Sequence, residues 1–300
     1  MALVTCCPVC GRGLQSRELP RRVTAPRADS LRPTDTGFGR LAGELVRCRA
    51  CRHGWVAASS DPLELDAQWS ASYTDAEDEV TLSEEAGQQV TASRGLAAIE
   101  RYVVPGTLVD LGCWTGSFLV AARARGWRTV GVEPARWAVE QAAARSLDVR
   151  QGTLAKVDLP SDTFDAVVMA DVLEHLWAPA TGVAVARRIV GAGGVLLATV
   201  PDAGSVMARM LGRRWWSVVP MHVQFFTAAS LTSLLTSTGF RVVEVTTHPK
   251  TFSVRYYADR LGAFMPPARP LLAAATRRGL GDRLVTPDFR DRLMVVALAA

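Results

Sequence analysis

The segment from residue 107 to residue 116 constrains the fold of this chain more than any other. Apolar residues from 107 to 111, interrupted by Asp110, run directly into a turn that contains Gly112 and Gly116, and a helical pattern follows. A buried strand that ends in such a turn and opens a helix is typical of the first unit of an open α/β sheet. Glycines there let a ligand approach the backbone, and the free N–H groups of the helix face the same point. The spacing of the two glycines differs from the G-x-G-x-x-G of dinucleotide-binding dehydrogenases.

Around this segment, predicted strands alternate with predicted helices. Helices are expected over residues 84–104, 117–125, 135–145 and 181–190, with another that follows the fourth strand and continues through Ala178. Strands are expected over residues 107–111, 129–132, 164–169, 195–200, 241–247 and 292–299, and around Val149. The last two strands flank an insertion of mixed helix and loop around residues 251–291. The alternation predicts an α/β fold with a Rossmann-like, seven-stranded, mostly parallel sheet and helices on both faces.

Two C-x-x-C pairs predict a separate module over residues 1–60, ahead of the larger domain at 61–300. Cys7 with Cys10 and Cys48 with Cys51 supply four thiols. Zinc takes four thiolates at about 2.3 Å in a tetrahedron, and C-x-x-C lets two sulfurs from one turn reach the same ion. The spacing therefore predicts a small zinc-ribbon-like module. Because four protein thiolates leave no position for water or substrate, the zinc is expected to be structural.

Two alternatives to zinc are less consistent with the sequence. Unrelated core thiols would not repeat the spacing in such polar, core-poor surroundings, and a redox C-x-x-C usually lies beside a βαβ unit, which neither pair does. The N-terminal residues lack the basic-then-apolar order of a secretory signal, so we expect a cytoplasmic protein. In that reducing compartment, paired cysteines bind metal more often than they form disulfides.

The segment from Asp110 to Gly116 reads Asp-Leu-Gly-Cys-Trp-Thr-Gly and resembles the first motif of class I S-adenosylmethionine-dependent methyltransferases, commonly D-x-G-x-G-x-G. Trp114 stands where the middle glycine is common. Residues 130–134 and 164–176 resemble the ends of the second and fourth strands of that family, and residues 193–201 resemble its fifth strand with the preceding turn. The resemblance covers residues 61–300 and implies S-adenosylmethionine as cofactor.

The resemblance also implies a cofactor site. Glu133, at the end of the second strand, is implied to accept hydrogen bonds from the two ribose hydroxyls, although it could instead cap the helix that starts near Ala135. The end of the fourth strand is implied to lie beside the methionine part of the cofactor, and Trp114 must point away from the cofactor or pack over it. The expected cofactor-binding residues are Asp110, Gly112, Cys113, Trp114, Gly116, Glu133, Pro134, Ala170 and Asp171.

Two histidines are the candidates for catalysis. Methyl transfer is an in-line displacement that mainly needs alignment, and a hydroxyl acceptor is helped by a general base such as histidine. His175 follows the fourth strand, where a Glu-His pair recurs in the family, and His222 lies in a predicted loop after the fifth strand that commonly covers the acceptor. Either histidine could instead only anchor local structure through a hydrogen bond. Trp215 and Trp216 could be core residues or walls of the acceptor pocket.

The cysteine module recurs in this family ahead of methyltransferase domains that often act on sugars or secondary metabolites. The resemblance therefore implies methyl transfer to a small molecule, with the hydroxyl of a sugar, glycoside or secondary metabolite as the leading acceptor. A nucleic-acid methyltransferase is an alternative, because the net charge is +5, but the basic clusters are short and no Asn/Asp-Pro-Pro-aromatic motif follows the fourth strand. Nucleic acid is therefore not the expected partner. A second alternative is a binding module without catalytic activity, which is favoured only by the presence of Trp114 where the middle glycine is common. No segment reaches membrane-spanning length without a charge or proline, so no membrane span is expected either.

Overall fold

The computed structural model describes residues 6–12, 15–18, 37–57, 61–73, 78–156 and 158–300. Its strands are β1 (Gln15–Glu18), β2 (Leu45–Cys48), β3 (Gly54–Val56), β4 (Thr107–Leu111), β5 (Arg128–Glu133), β6 (Val149–Gln151), β7 (Phe164–Ala170), β8 (Val190–Pro201), β9 (Gln224–Phe225), β10 (Phe240–Thr247), β11 (Phe252–Ser253), β12 (Leu284–Val285) and β13 (Arg292–Ala299). Its α-helices are α1 (Pro62–Tyr73), α2 (Glu79–Ser83), α3 (Glu85–Ile99), α4 (Ser117–Ala124), α5 (Arg136–Ala143), α6 (Pro179–Ile189), α7 (Val206–Leu211), α8 (Ala228–Ser237), α9 (Val254–Phe264) and α10 (Arg269–Ala275). None of the helices in these residues is both long enough and apolar enough to cross a membrane.

Seven strands form one mostly parallel sheet. Its order is β6-β5-β4-β7-β8-β13-β10, in which the strands from β6 to β8 pair in parallel and β13 runs antiparallel to both of its neighbours. Chain order reverses between β4 and β7, and sheets of this class bind ligands in the crevice at the carboxyl ends of the strands beside such a reversal. The α/β, Rossmann-like fold class predicted from the sequence is confirmed.

Alternate residues of the central strands enter two separate hydrophobic layers. Leu108 and Val168 pack with buried residues of α3 and α4 on one face of the sheet. Val109 and Val167 pack with buried residues of α6 and α8 on the other face. Because helices cover both faces, a central strand is apolar at nearly every position, and the exceptions in β4 are Thr107 at its start and Asp110 near its carboxyl end.

The prediction of a helix that follows β7 and continues through Ala178 is wrong. The chain leaves β7 with a positive φ of 59° at Asp171, makes a single 3-10 turn at Leu173–His175 and is extended again at Leu176. Pro179 then starts α6, and a residue before proline is disfavoured in the helical conformation, so Ala178 takes φ −115° and ψ 68°. His175 therefore lies on a tight turn.

The cysteine-bearing segment pairs with the second half of the chain. The strands β1, β2, β3 and β9 form an antiparallel sheet in which Trp55 lies opposite Gln224. Cys7, Cys48 and Trp55 are buried in the same hydrophobic layer as α8. The prediction of polar, core-poor surroundings for the cysteines is therefore wrong, because apolar residues of the module, such as Val46, and apolar residues of α8 share this buried layer.

The insertion between β10 and β13 is fastened to α3 and to the residue before it. Glu84 accepts hydrogen bonds from the backbone N–H of Ser253 at 2.6 Å and from its hydroxyl at 2.5 Å. Arg94 donates to the carbonyl oxygen of Pro249 and to the hydroxyl of Thr251, both at 3.0 Å. These bonds hold the insertion close to the sheet, where it supplies one wall of a cavity.

Candidate cofactor and acceptor site

A cavity of about 1130 Å³ opens at the crevice between β4 and β7. Its volume exceeds that of most single-ligand pockets, which are about 300–1000 Å³, so it has room for two ligands side by side. Nearly all residues that the sequence singled out for the cofactor or for catalysis line it, namely Asp110, Gly112, Cys113, Trp114, Glu133, Pro134, Ala170, Asp171, His175 and His222. Gly116 is not among the lining residues.

The turn after β4 requires glycine at both ends. Gly112 and Gly116 have φ angles of 78° and 83°, which strain any other residue. A Cβ atom at Gly112 would lie 2.7 Å from Cγ2 of Val172, and one at Gly116 would lie 2.4 Å from Cδ1 of Leu147. Gly116 also caps the start of α4. It therefore shapes the turn, whereas Gly112 exposes backbone to the cavity.

Trp114 fits into the turn without filling the cavity. Its φ angle is 48°, and the centroid of its ring lies 5.7 Å from that of Trp137 in α5, with the two planes at 48°. Its backbone N–H donates to Oε2 of Glu133 at 2.9 Å. The residue that departs from the common glycine thus packs towards α5 and still supplies a backbone amide that orients a carboxylate.

Glu133 ends β5 with its carboxylate held by two backbone amides. Oε1 accepts from Ala135 at 2.9 Å and Oε2 accepts from Trp114. The capping alternative is therefore present in part, yet each oxygen keeps a further lone pair. Burial raises the pKa of this carboxyl to about 7. A fixed, buried carboxylate on a cavity wall is suited to accept hydrogen bonds from ligand hydroxyls.

Asp110 ends β4 with an unsatisfied oxygen. The residue is 2% exposed, and Oδ1 has no hydrogen-bond partner among the described residues. Burial first, and then the neighbouring charge of Glu133, raises the pKa of the carboxyl to about 8. Buried polar atoms in folded proteins nearly always have partners, so a ligand donor in this cavity would complete the site.

Cys113 and Asp171 use their side chains within the protein. Sγ of Cys113 is so close to Gly131 that a Cβ atom there would lie 2.6 Å away. Asp171 forms ion pairs with Lys250 and with Arg292. The contribution of these two residues to cofactor binding stays a prediction, as does that of Ala170 and Pro134. All four would contribute through backbone atoms and through the shape of the cavity wall.

The two candidate histidines meet on the cavity wall, with ring centroids 4.9 Å apart. Nδ1 of His175 lies 3.0 Å from the carbonyl oxygen of Met221, and Nδ1 of His222 lies 2.7 Å from that of Ser217. A carbonyl oxygen only accepts, so each Nδ1 carries a proton and each Nε2 is left as an acceptor. Burial lowers the pKa of His175 to about 4 and that of His222 well below its ordinary value, so both rings are neutral at pH 7.

The insertion adds a site residue, Lys250, that the sequence did not indicate, and the structure distinguishes the two tryptophans that the sequence did indicate. Lys250 lines the cavity and pairs with Asp171 there. Trp216 also lines the cavity, with its ring centroid 5.2 Å from that of Phe289, whereas Trp215 is 2% exposed and donates from Nε1 to a carboxylate oxygen of Asp291 at 2.9 Å. Of the two tryptophans, one is therefore core and the other is wall. No motif or periodicity around these residues in the sequence signals their meeting.

The four cysteines of the module form a cluster. The Sγ–Sγ distances are 3.6 Å for Cys7 with Cys51 and 3.6 Å for Cys10 with Cys48, and all four sulfurs lie within 4.8 Å of one another. A tetrahedron with metal–sulfur bonds of about 2.3 Å needs sulfurs roughly 3.8 Å apart. Cys6 is exposed and outside the cluster. The arrangement is compatible with zinc.

A buried histidine connects the cysteine module to the site. Nε2 of His53 lies 2.9 Å from Oε1 of Gln224, and the amide nitrogen of Gln224 donates to the carbonyl oxygen of Leu176 at 2.8 Å. Leu176 directly follows His175. Module, β9 and the turn after β7 are thus joined by hydrogen bonds that water cannot easily replace, since His53 and Gln224 are both buried.

A family model described as a methyltransferase domain matches residues 85–245. That region is more than half of the chain and contains the glycine turn, Glu133, His175 and His222. The chain belongs to this family. The cysteine quartet and the insertion after β10 lie outside the matched residues.

Individual relatives agree with the family. A Mycolicibacterium smegmatis protein named "Probable S-adenosylmethionine-dependent methyltransferase" is 34% identical over 139 residues, which are 45% of this chain and 52% of the relative. The chain spans about half the length of these curated relatives. Burkholderia thailandensis 1,6-didemethyltoxoflavin-N1-methyltransferase shares the fold with a TM-score of 0.51 and 16% identity, over 84% of this chain and 97% of that one. YcgJ from Bacillus subtilis does so with a TM-score of 0.50 and 13% identity, over 70% and 97%.

The buried carboxyl groups predict that the ligand-free protein loses stability as pH rises from about 6.5 to 8. Burial raises the pKa of Asp110 and of Glu174 to about 8 and that of Glu133 to about 7, so the folded state keeps protons that the unfolded state has already released. The free energy of unfolding therefore falls across this range. Below about pH 6.5 the buried histidines act in the opposite sense, because their lowered pKa values leave the extra protons on the unfolded chain.

Thermal unfolding of the wild type and of Asp110→Asn at pH 6.5 and pH 8 measures this effect. The variant lacks one of the titrating groups, so its melting temperature is expected to fall less between the two pH values. Each kcal/mol corresponds to roughly 2–4 °C for a domain of this size. The cysteines and any bound metal also make the melting temperature depend on pH. They are the same in both proteins, so their contribution cancels in the comparison. Equal falls in the two proteins would contradict the assignment of a raised pKa to Asp110.

Proposed function

We propose that this protein transfers a methyl group from S-adenosylmethionine to a small-molecule acceptor. The observation that carries the proposal is the meeting of Asp110, Gly112 and Glu133 at one crevice of a domain of the methyltransferase family. When bound, S-adenosylmethionine supplies a methyl group activated by its positively charged sulfur. The name of the M. smegmatis relative supports the same donor.

The residues present fit that donor. The carboxylate of Glu133, fixed by two amides, has lone pairs for the two ribose hydroxyls, and Oδ1 of Asp110 lacks a partner within the described chain. Gly112 leaves backbone exposed where a side chain would collide with Val172. The donor site is therefore assigned to the residues at the ends of β4, β5 and β7 that the sequence indicated.

Calorimetry tests the proposal directly. Titration of S-adenosylmethionine, and separately of S-adenosylhomocysteine, into the purified protein is expected to give saturable heat at one site. Absence of heat from both ligands would remove the proposal, because a class I methyltransferase binds its donor before any acceptor chemistry.

Replacing Glu133 with alanine is expected to weaken the binding of S-adenosylmethionine at least about 100-fold. Hydrogen bonds to a charged group contribute about 1.5–3 kcal/mol each, and two of them are removed, while tenfold in affinity corresponds to about 1.4 kcal/mol. The matched control is Glu140→Ala, which removes an exposed glutamate from α5 and is expected to leave the affinity unchanged. An unchanged dissociation constant for Glu133→Ala would mean that Glu133 only caps α5.

The acceptor is assigned to the opposite end of the cavity, beside His175, His222 and Trp216. We expect it to be a hydroxyl compound such as a sugar, glycoside or secondary metabolite. Its oxygen attacks the methyl carbon in line with the carbon–sulfur bond, that bond breaks with its electron pair left on sulfur, and the hydroxyl proton must depart. Two neutral imidazoles, each with an accepting Nε2, support a hydroxyl acceptor because they provide sites for that proton. A screen of metabolite acceptors with methyl-labelled donor checks the acceptor class.

The cysteine quartet is proposed to bind one structural zinc ion. Its sulfur separations support this, and four thiolates leave no position for chemistry at the ion. The hydrogen bonds of His53 and Gln224 connect the module to the turn that carries His175. An ion that stabilises the module would therefore also stabilise that turn.

A further inference from the structure

Glu174 is a buried acid that the proposed methyl transfer does not use. It is 1% exposed, it lines the cavity, and its Oε2 has no hydrogen-bond partner in the part of the chain that the structure describes. A buried carboxyl oxygen without a partner is costly unless something completes its hydrogen bonding or coordination.

The two histidines lie beside this acid. One oxygen of Glu174, one nitrogen of His175 and one nitrogen of His222 are all within 4.8 Å of one another. Each histidine is tethered through Nδ1 to a backbone carbonyl oxygen, at 3.0 Å and 2.7 Å. Metal-bound histidines are commonly oriented in this way, with the second ring nitrogen held by a carbonyl or a carboxylate.

We infer that Glu174, His175 and His222 bind a divalent metal ion at the acceptor end of the cavity. Two imidazoles and one carboxylate form a nitrogen–oxygen donor set that suits Zn²⁺, Fe²⁺, Co²⁺ or Mn²⁺. Bonds of about 2.1 Å require donor atoms roughly 3–3.5 Å apart, so donor atoms that lie within 4.8 Å of one another would have to close on the ion when it binds. Three protein ligands leave coordination positions open, unlike the four thiolates of the cysteine quartet.

The surrounding charges permit a cation here. Lys250 and Arg260 are close enough to act on His222, but the ammonium group of Lys250 is paired with Asp171. Glu174 offsets one charge of a bound ion, and Asp291 on the insertion is a further acid in the cavity lining.

The consequence for chemistry rests on the proposed function. A divalent ion lowers the pKa of a hydroxyl that it binds. The acceptor hydroxyl then gives its proton to water, its oxygen forms a bond to the methyl carbon of S-adenosylmethionine, and the carbon–sulfur bond breaks with the electron pair on sulfur. The metal ion would thus select acceptors with a hydroxyl able to reach an open coordination position.

Cobalt(II) titrated into the protein whose cysteine quartet already holds zinc tests the inference. We expect one equivalent of Co²⁺ to bind beyond the zinc, with visible d–d absorption and without the intense thiolate-to-cobalt absorption of a cysteine site. Glu174→Gln and His222→Gln are each expected to weaken this Co²⁺ site at least tenfold. His248→Gln, which changes a histidine of the cavity wall outside the donor set, is expected to bind Co²⁺ as the wild type does.

Failure of this inference and failure of the proposed function give different results. The metal site is overturned if Co²⁺ does not bind the zinc-loaded wild type. It is also overturned if Co²⁺ binds Glu174→Gln and His222→Gln with the same affinity as the wild type. S-adenosylmethionine binding, measured by calorimetry on the same samples, decides the methyl transfer separately and also shows that each variant is folded. If His222→Gln does not fold, the wild-type titration and Glu174→Gln still decide.

Discussion

Replacing Cys48 with serine is expected to abolish zinc binding and to lower the melting temperature by roughly 10 °C or more. Cys48 is fully buried, with its Sγ 3.6 Å from that of Cys10, and its loss leaves three thiolates around the ion. Structural zinc sites contribute about 10–16 kcal/mol of folding free energy in small zinc-finger peptides, so even a fraction of that is a large effect for one substitution. Metal analysis should give one equivalent of zinc in the wild type and much less in the variant.

Cys6→Ser is the matched control for this experiment. Cys6 is exposed, directly precedes Cys7 and is not part of the quartet, so its replacement is expected to change neither the zinc content nor the melting temperature. Wild-type protein that is folded and free of metal would contradict the zinc site outright. Equal zinc content in Cys48→Ser and Cys6→Ser would contradict the assignment of Cys48 as a ligand.

The effect of Cys48→Ser on the two ends of the cavity is expected to differ. The module is connected by β3, β9 and His53 to the turn that carries His175, whereas Asp110 and Glu133 lie on β4 and β5, which do not pair with the described strands of the module. Acceptor turnover should therefore fall more than the affinity for S-adenosylmethionine.

The local part of this site could be predicted from the sequence. The strand that ends in Asp110, the turn from Gly112 to Gly116 and the strand that ends in Glu133 are each encoded within a few residues, by apolar runs and by glycines that need a positive φ. The end of a parallel strand has a fixed place at one edge of the sheet, so the meeting of these residues followed from the fold class. The same logic placed the four cysteines together, because metal coordination requires their proximity.

The acceptor end could not be predicted in the same way. Lys250 and Trp216 come from loops whose course depends on long-range contacts, such as the hydrogen bonds of Glu84 to Ser253. The buried surroundings of Cys48 likewise come from the pairing of β3 with β9, which no local pattern signals. The predicted helix through Ala178 failed for a local reason, since Pro179 excludes the helical conformation just before it.

Replacing His222 with alanine is expected to reduce methyl transfer by roughly 100-fold or more while leaving the affinity for S-adenosylmethionine within about twofold. The carbonyl oxygen of Ser217 holds the ring through Nδ1, so Nε2 is the atom left to act on the acceptor, either directly or through a bound ion. Asp110 and Glu133, on which the donor site depends, lie on β4 and β5, whereas His222 lies on the loop between β8 and β9. The loss should therefore appear in kcat and not in donor binding, and single-turnover rates at saturating donor measure it.

Adding imidazole to His222→Ala distinguishes a chemical role of His222 from a structural one. If the ring only anchored the loop, free imidazole would not restore the rate of methyl transfer. Removal of the ring leaves a space of the shape of imidazole next to His175, and the free base is expected to restore part of the rate in proportion to its concentration. His248→Gln, which alters another buried histidine of the cavity wall, serves as the control. Its rate of methyl transfer should equal that of the wild type and should not change when imidazole is added. Full turnover by His222→Ala, with normal donor binding, would exclude His222 from the chemistry. A loss of rate that imidazole does not recover, together with weakened donor binding, would instead identify His222 as an anchor of the loop between β8 and β9.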